Sequence, residues 1–176
     1  RVDVVGNGRS VETCNRDAGN LGIYGLVPEH TKLEVVSGQE EPVVQGWIPR
    51  GKPYECQPLP TAVYRSEGAG TTSMSFVLAP IAAGDLSPIS YAERVNGQVG
   101  VEAGRALLKD GRTVHFAVRA PGSGDPGLGG FRSDGEALVV LESEEGFVTH
   151  VMDVNGSGVM RDARPVRPGD RANGGG

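Results

Sequence analysis

The 176 residues carry a net charge of −5, and an acidic surface repels DNA and anionic membranes, so nucleic acid is not an expected partner. The length suits one domain or a little more and is enough to bury a real core. Glycine contributes 28 residues, about twice its usual ~7% share; it disfavours helix interiors and supplies the positive φ of tight turns.

In chain order, the apolar residues recur with period two. Val2 to Val5 form a first short strand, closed by Gly6-Asn7-Gly8. "LGIYGLVP" (21–28) reads as a strand ended by Pro28, and "TKLEVVSG" (31–38) sets Leu33 and Val35 against Lys32 and Glu34. "PVVQGWIP" (42–49) is an apolar segment bounded by prolines, within a Gly/Pro-dense stretch, 42–60, that reads as a long excursion between sheets. "TAVYRSEG" (61–68) and "TSMSFVLAP" (72–80) read as a hairpin across residues 67–70, with Met74, Phe76 and Leu78 on the buried face.

Beyond Pro88 the rhythm tightens. "ISYAERV" (89–95) runs into Asn96-Gly97, a strong hairpin signal between strand-like runs. "QVGVEAG" and "RALLKDG" follow; Gly104 inside 101–109 and Asp110-Gly111 after it make a strand pair the expectation over a helix. "RTVHFAVRAP" (112–121) sets Val114, Phe116 and Val118 against Thr113, His115 and Ala117, so His115 is expected to point away from the apolar face. An Asp134-Gly135 turn, a strand over 137–141 and a last strand over 146–156 complete the pattern. The tail, 161–176, is rich in Arg, Pro and Gly without apolar periodicity and is expected to be disordered or an extended linker, or to lie along a partner surface. About a dozen short strands imply an all-β, helix-poor fold, an antiparallel β-sandwich or stacked sheets over 1–160, with 161–176 as its tail.

No apolar run reaches the ~20 residues of a membrane-spanning helix. No signal peptide is present, and a chain opening at Arg1 without Met reads as a mature product, a processed piece or an excised domain. Cys14 and Cys56 form no CxxC pair, which argues against a cysteine-based zinc site. They could close a disulfide loop of about 40 residues, adding roughly 3–4 kcal/mol, or stand as two buried free thiols. His30, His115 and His150 lack HxH or HxxxH spacing, Glu40-Glu41 and Glu144-Glu145 face opposite sides of any strand, and no G-x-S-x-G motif is present. The sequence thus shows no complete catalytic site, metal or cofactor. Asn155-Gly156-Ser157 fits a glycosylation sequon and, more simply, a turn.

One run stands out. In "GWIPRGKPYECQPLPTAVYR" (46–65), Trp47 and Tyr54 offer flat faces of the kind that stack on sugar rings, and Arg50, Lys52 and Arg65 offer cationic donors for carboxylates. The simpler reading makes Trp47 a core anchor and the prolines shapers of a crossing between sheets.

The same run, "SGQEEPVVQGWIPRGKPYECQPLPTAVYRSEG" followed by "FVLAP", resembles the C-terminal β-sheet domain of heparinase II/III-like polysaccharide lyases. The matching features are Gly46 to Pro49, Pro60 to Tyr64 and Phe76 to Pro80, and the similarity extends over about residues 21–158. The resemblance implies a β portion joined to a helical (α/α) toroid, in cis or on another chain. It implies β-elimination of uronate polysaccharides, with a Tyr as acid and base and His plus Asn or Arg neutralising the uronate. Those residues sit chiefly in the toroid, so no catalytic residue is carried onto this chain. The expectation is a non-catalytic β portion that supports a toroid active site, contacts an acidic polysaccharide through Trp47, Arg50, Lys52, Tyr54 and Arg65, and is secreted or periplasmic. The alternatives are a stand-alone glycan-binding module and a structural assembly subunit.

Overall fold

The computed structural model describes residues 1–6, 8–51, 55–69, 72–95 and 100–172. Among them there is no helix, and the protein is all-β. Seventeen strands follow one another: β1 (Val2–Val5), β2 (Ser10–Thr13), β3 (Asn20–Leu26), β4 (Lys32–Val36), β5 (Trp47–Pro49), β6 (Cys56–Pro58), β7 (Thr61–Arg65), β8 (Ser75–Ile81), β9 (Ile89–Val95), β10 (Val101–Leu108), β11 (Thr113–Arg119), β12 (Gly127–Leu128), β13 (Phe131–Arg132), β14 (Ala137–Glu142), β15 (Val148–Val154), β16 (Met160–Arg161) and β17 (Arg164–Pro165). The chain divides into two compact units, Arg1–Ser87 and Pro88–Gly176.

The first unit holds an antiparallel sheet of order β1-β2-β3-β8, a ribbon β4-β7 and a hairpin β5-β6. Tyr24, Leu26, Ala79 and Ile81 are buried on one face of the sheet. On that face the Tyr24 hydroxyl donates to the Glu12 carboxylate and shares a second hydrogen bond with the buried Ser87 hydroxyl. Burial, followed by the Glu12 carboxylate, pushes the phenol up to about 12. The expected hairpin between 61–68 and 72–80 does not form: β7 pairs with β4 and β8 pairs with β3. Seven consecutive backbone partners, Asn20↔Ile81 to Leu26↔Ser75, align β8 with β3, so a long non-local ladder wins over the short local turn. The expected polarity of β8 is reversed as well. Phe76 is 40% and Leu78 60% exposed, while Ala79 and Ile81 are buried; a two-residue repeat defines the two faces without saying which one is covered.

The second unit stacks two sheets, β15-β14-β11-β10-β9 and β12-β13-β16-β17. Their shared core contains Val101, Ala103, Ala117, Phe131, Leu138, Val140, Val148, Val159 and Ala172. Residues 96–99, with the Asn96-Gly97 turn, lie outside the described residues; β9 and β10 on either side pair antiparallel. Segment 101–108 is one continuous strand rather than a pair. A Cβ at Gly104 would lie 2.6 Å from the Phe116 ring and 2.9 Å from the Glu93 carbonyl oxygen, so glycine leaves the space that the cross-strand phenyl ring occupies. On β11 the alternation holds, with His115 and Ala117 on the face opposite Phe116 and Val118, but it is the His115 face that is covered: Ala117 is fully buried, Val118 is 48% exposed, and the His115 ring lies against Phe131 with centroids 5.9 Å apart. The second sheet covers the face bearing the small Ala103 and Ala117. Val118, Ala137 and Val154, then Phe116, Val139 and Met152, form two apolar rows across the other face.

Residues 161–172, read from composition as an extended linker, belong to this unit. Arg161 ends β16, Val166 donates its amide to the Val159 carbonyl, and Val148 and Gly169–Asp170 exchange backbone hydrogen bonds. Ala172 is buried in the core.

Candidate functional site

Of the expected contact residues, Lys52 and Tyr54 lie outside the described residues. Trp47 starts the β5–β6 hairpin opposite Pro58, and Arg50 continues it by donating its amide to the Glu55 carbonyl. The Trp47 indole N–H donates to the Gln39 carbonyl at 3.0 Å, and the ring edge lies against Gly38. The half-buried ring thereby ties the 38–46 loop to the hairpin. Alternation directs Trp47 and Arg50 to opposite faces of the hairpin. Arg65 sits elsewhere, at the end of β7 opposite Lys32, in a long 3.9 Å ion pair with Glu34. The structure therefore brings Trp47 and Arg50 onto one hairpin and leaves Arg65 on a separate ribbon.

The cysteines are neither bridged nor buried; both are exposed free thiols. Cys14 follows β2 and donates to the Asp3 carboxylate at 3.3 Å, while Cys56 opens β6 opposite Pro49. Desolvation, then Asp3, raises the Cys14 thiol, so it is held in its less nucleophilic form.

The three histidines do not converge. His30 Nε2 lies 2.7 Å from Ser66 Oγ, a nucleophile–base spacing, but among the described residues no carboxylate hydrogen-bonds the ring to orient it. His150 contacts Thr149. His115 Nε2 meets Glu142 at 2.9 Å, next to a cross-strand row in which Arg105 pairs with Glu93. Arg105, then the Tyr91 hydroxyl, holds the Glu93 carboxyl below its ordinary range. Among the described residues no group of three or more His, Cys, Asp or Glu is gathered as a metal ion would require.

At the end of β15, Asp153 accepts the Ser133 hydroxyl and the Gly158 amide, and Asp134 accepts the Ser157 amide at 2.7 Å. The Ser157 contacts hold Asp134 low. The 153–158 segment, with the Asn155 sequon at φ 56°, is thus an exposed turn whose backbone is held by carboxylates.

A cavity of about 500 Å³ in the second unit is lined by Phe131, Arg161, Asp162, Arg164, Pro165, Val166, Asp170 and Arg171. Arg161 lies over the Phe131 ring at 5.2 Å and donates to the Arg171 carbonyl at 2.9 Å. Arg171 lies over the Phe147 ring at 5.3 Å. Among the described residues no carboxylate is within ion-pairing distance of these three guanidinium groups. Asp170 instead accepts the Arg167 amide. These arginines were legible as the repeated Arg of the 161–171 stretch, but a lack of apolar periodicity made that stretch read as linker.

A second groove, about 600 Å³, adjoins the open apolar rows and is lined by Val118, Arg119, Pro121, Gly122, Ser123, Glu136, Ala137 and Val154. No helix among the described residues is long and apolar enough to cross a membrane.

No family model matches the chain, and no curated protein matches it. Fold and site together define an all-β protein of stacked antiparallel sheets with an arginine-lined cavity.

Proposed function

We propose that this chain is a non-catalytic β portion of a larger polysaccharide-acting protein, braced against another segment and contacting an acidic glycan through the β5–β6 hairpin. The observation that carries this reading is a pair of apolar sheet faces left open to solvent. In the first unit Leu78 and Phe76 project from β8, and in the second Val118 and Met152, the latter 55% exposed, lie in adjacent rows. Apolar rows of this kind mark surfaces that are covered when a protein is assembled. A helical toroid, the partner implied by the motif resemblance, is the segment that would cover them.

The hairpin supports the glycan contact. Its Trp47 ring is held by the Gln39 carbonyl yet stays partly exposed, and Arg50, on the hairpin's other face, is exposed. A fixed aromatic face loses little entropy when it stacks, and a free guanidinium matches a uronate carboxylate. The hairpin connection adds Lys52 and Tyr54 by sequence.

The test is co-expression with a toroid domain of a heparinase II/III-like lyase, followed by affinity electrophoresis in gels containing uronate polymers. The proposal expects a stable complex, unsaturated-product absorbance, and a glycan-dependent mobility shift that Trp47→Ala and Arg50→Ala each reduce. Absence of a complex and of product, with unchanged mobility on every uronate polymer, rejects it.

A further inference from the structure

The hairpin formed by β16 and β17 is built against three local preferences. Arg161 and Arg164 stand directly opposite each other in its register, and like charges placed so repel. The two residues between them, Asp162 and Ala163, both have positive φ, at 48° and 62°. That is the pattern of a type I′ turn, in which Gly or Asn is the usual occupant and alanine is strained by its Cβ. Finally, neither guanidinium has a carboxylate within ion-pairing distance among the described residues, although the chain as a whole is acidic.

Such conflicts persist where a function requires them. Here they place two cations at the rim of the 500 Å³ cavity, with Arg171 as a third. The way in which two of the three are fixed is informative. Arg161 and Arg171 each lay a guanidinium over an aromatic ring, Phe131 and Phe147. An aromatic ring holds a guanidinium through the face of its π system without neutralising its charge, and in-plane N–H donors remain for an oxyanion fork. Side chains already ordered in this way lose little further entropy when they bind.

We propose that the cavity bounded by Arg161, Arg164 and Arg171 binds an oxyanion, a carboxylate or phosphate group carried on a compact, ring-sized body. The oxyanion bridges Arg161 and Arg164 and relieves their repulsion, while the Pro165 and Val166 side of the cavity takes the body of the ligand. The volume falls in the range of small-molecule sites, roughly 300–1,000 Å³, and is far larger than a bare anion fills. Asp162 and Asp170 in the same lining leave a modest positive excess, which suits one anionic group rather than a polyanion. This site lies in the unit Pro88–Gly176 and does not depend on the hairpin of the first unit.

The experiment is isothermal titration calorimetry of the full chain, at low ionic strength, with glucuronate, inorganic phosphate and uncharged glucose. Saturable binding of glucuronate, of phosphate or of both, with none of glucose, is expected, and the two anions distinguish a carboxylate from a phosphate ligand. Arg164→Ala is expected to weaken binding by about tenfold, the loss of one charge-assisted hydrogen-bonding group. Arg164→Glu is expected to abolish binding while raising the melting temperature, because the opposed cations become an ion pair. Trp47→Ala leaves binding in this cavity unchanged, so failure of the hairpin reading and failure of this one give different results. Absence of saturable binding of both anions, or equal binding by wild type, Arg164→Ala and Arg164→Glu with native circular dichroism, overturns the proposal.

Discussion

Replacing Tyr24 by Phe keeps the ring in the core of the first unit and deletes only the hydroxyl. That hydroxyl donates to Glu12 and hydrogen-bonds Ser87, and Ser87 is 3% exposed. Glu12 reaches solvent and recovers part of what it loses. Ser87 is shielded, so the expected destabilisation near neutral pH is about 1–3 kcal/mol. The alkaline limb carries a second, independent signature. An unfolded tyrosine titrates at the ordinary value of 10.0, and Tyr24 in the folded chain at about 12. Below pH 10 both states are protonated and the contribution is complete. As pH rises further, the unfolded chain releases its proton while the folded chain keeps it, so stability falls until the folded phenol also ionises near 12. The gap corresponds to about 3 kcal/mol lost across that window. Urea unfolding followed by circular dichroism at a series of alkaline pH values measures both. The wild type should lose stability more steeply than Tyr24→Phe above pH 10, and the two curves should converge as they approach pH 12. Parallel curves would refute the argument, because they would mean that the hydroxyl is solvated in both states.

Gly104→Ala should cost about 1–3 kcal/mol in urea unfolding, since its Cβ meets the Phe116 ring, and Phe116→Leu in the same chain should recover part of the loss. Ala163→Gly should stabilise the second unit by about 1 kcal/mol, read as a raised melting temperature, because the left-handed conformation suits glycine. Asp134→Asn should flatten the acid limb of stability. Asp134 is held low by Ser157, so its contribution is present above the ordinary carboxylate range and disappears as pH falls through the depressed value. Leu78→Glu should leave the isolated chain's stability within about 0.5 kcal/mol, as an exposed site does, and should weaken the complex with a toroid partner in a pull-down.

The alternation in "LGIYGL", "RTVHFAVR" and "ALVVLE" made the strands themselves readable, because period two is written in consecutive residues. What alternation leaves open is direction. On β11 the larger Val118 faces outward and the small Ala117 is buried, and on β8 Phe76 and Leu78 face outward while Ala79 and Ile81 are buried. A sequence pattern ranks faces by hydrophobicity, whereas burial depends on which face another sheet can approach closely. Pairing was also out of reach for β7 and β8, whose partners are β4 and β3 rather than each other. The candidate sites divide similarly. The basic and aromatic composition of 46–65 was visible, but Trp47 is tied to a loop carbonyl and Arg65 lies on another ribbon. The arginines of 161–171 gain meaning only from the aromatic rings beneath two of them, and Phe131 and Phe147 come from earlier strands.

β15 forms one border of the five-stranded sheet. Its first residue, Val148, receives and gives backbone hydrogen bonds to Gly169 and Asp170, and Phe147 bridges to Arg171. This arrangement acts as a selvedge: the closing residues hem the border where a stray strand would otherwise stitch itself on. A chain cut just after Arg161 would therefore keep every long strand but lose these pairings together with the buried Ala172, opening the border and the core beside it to filamentous association.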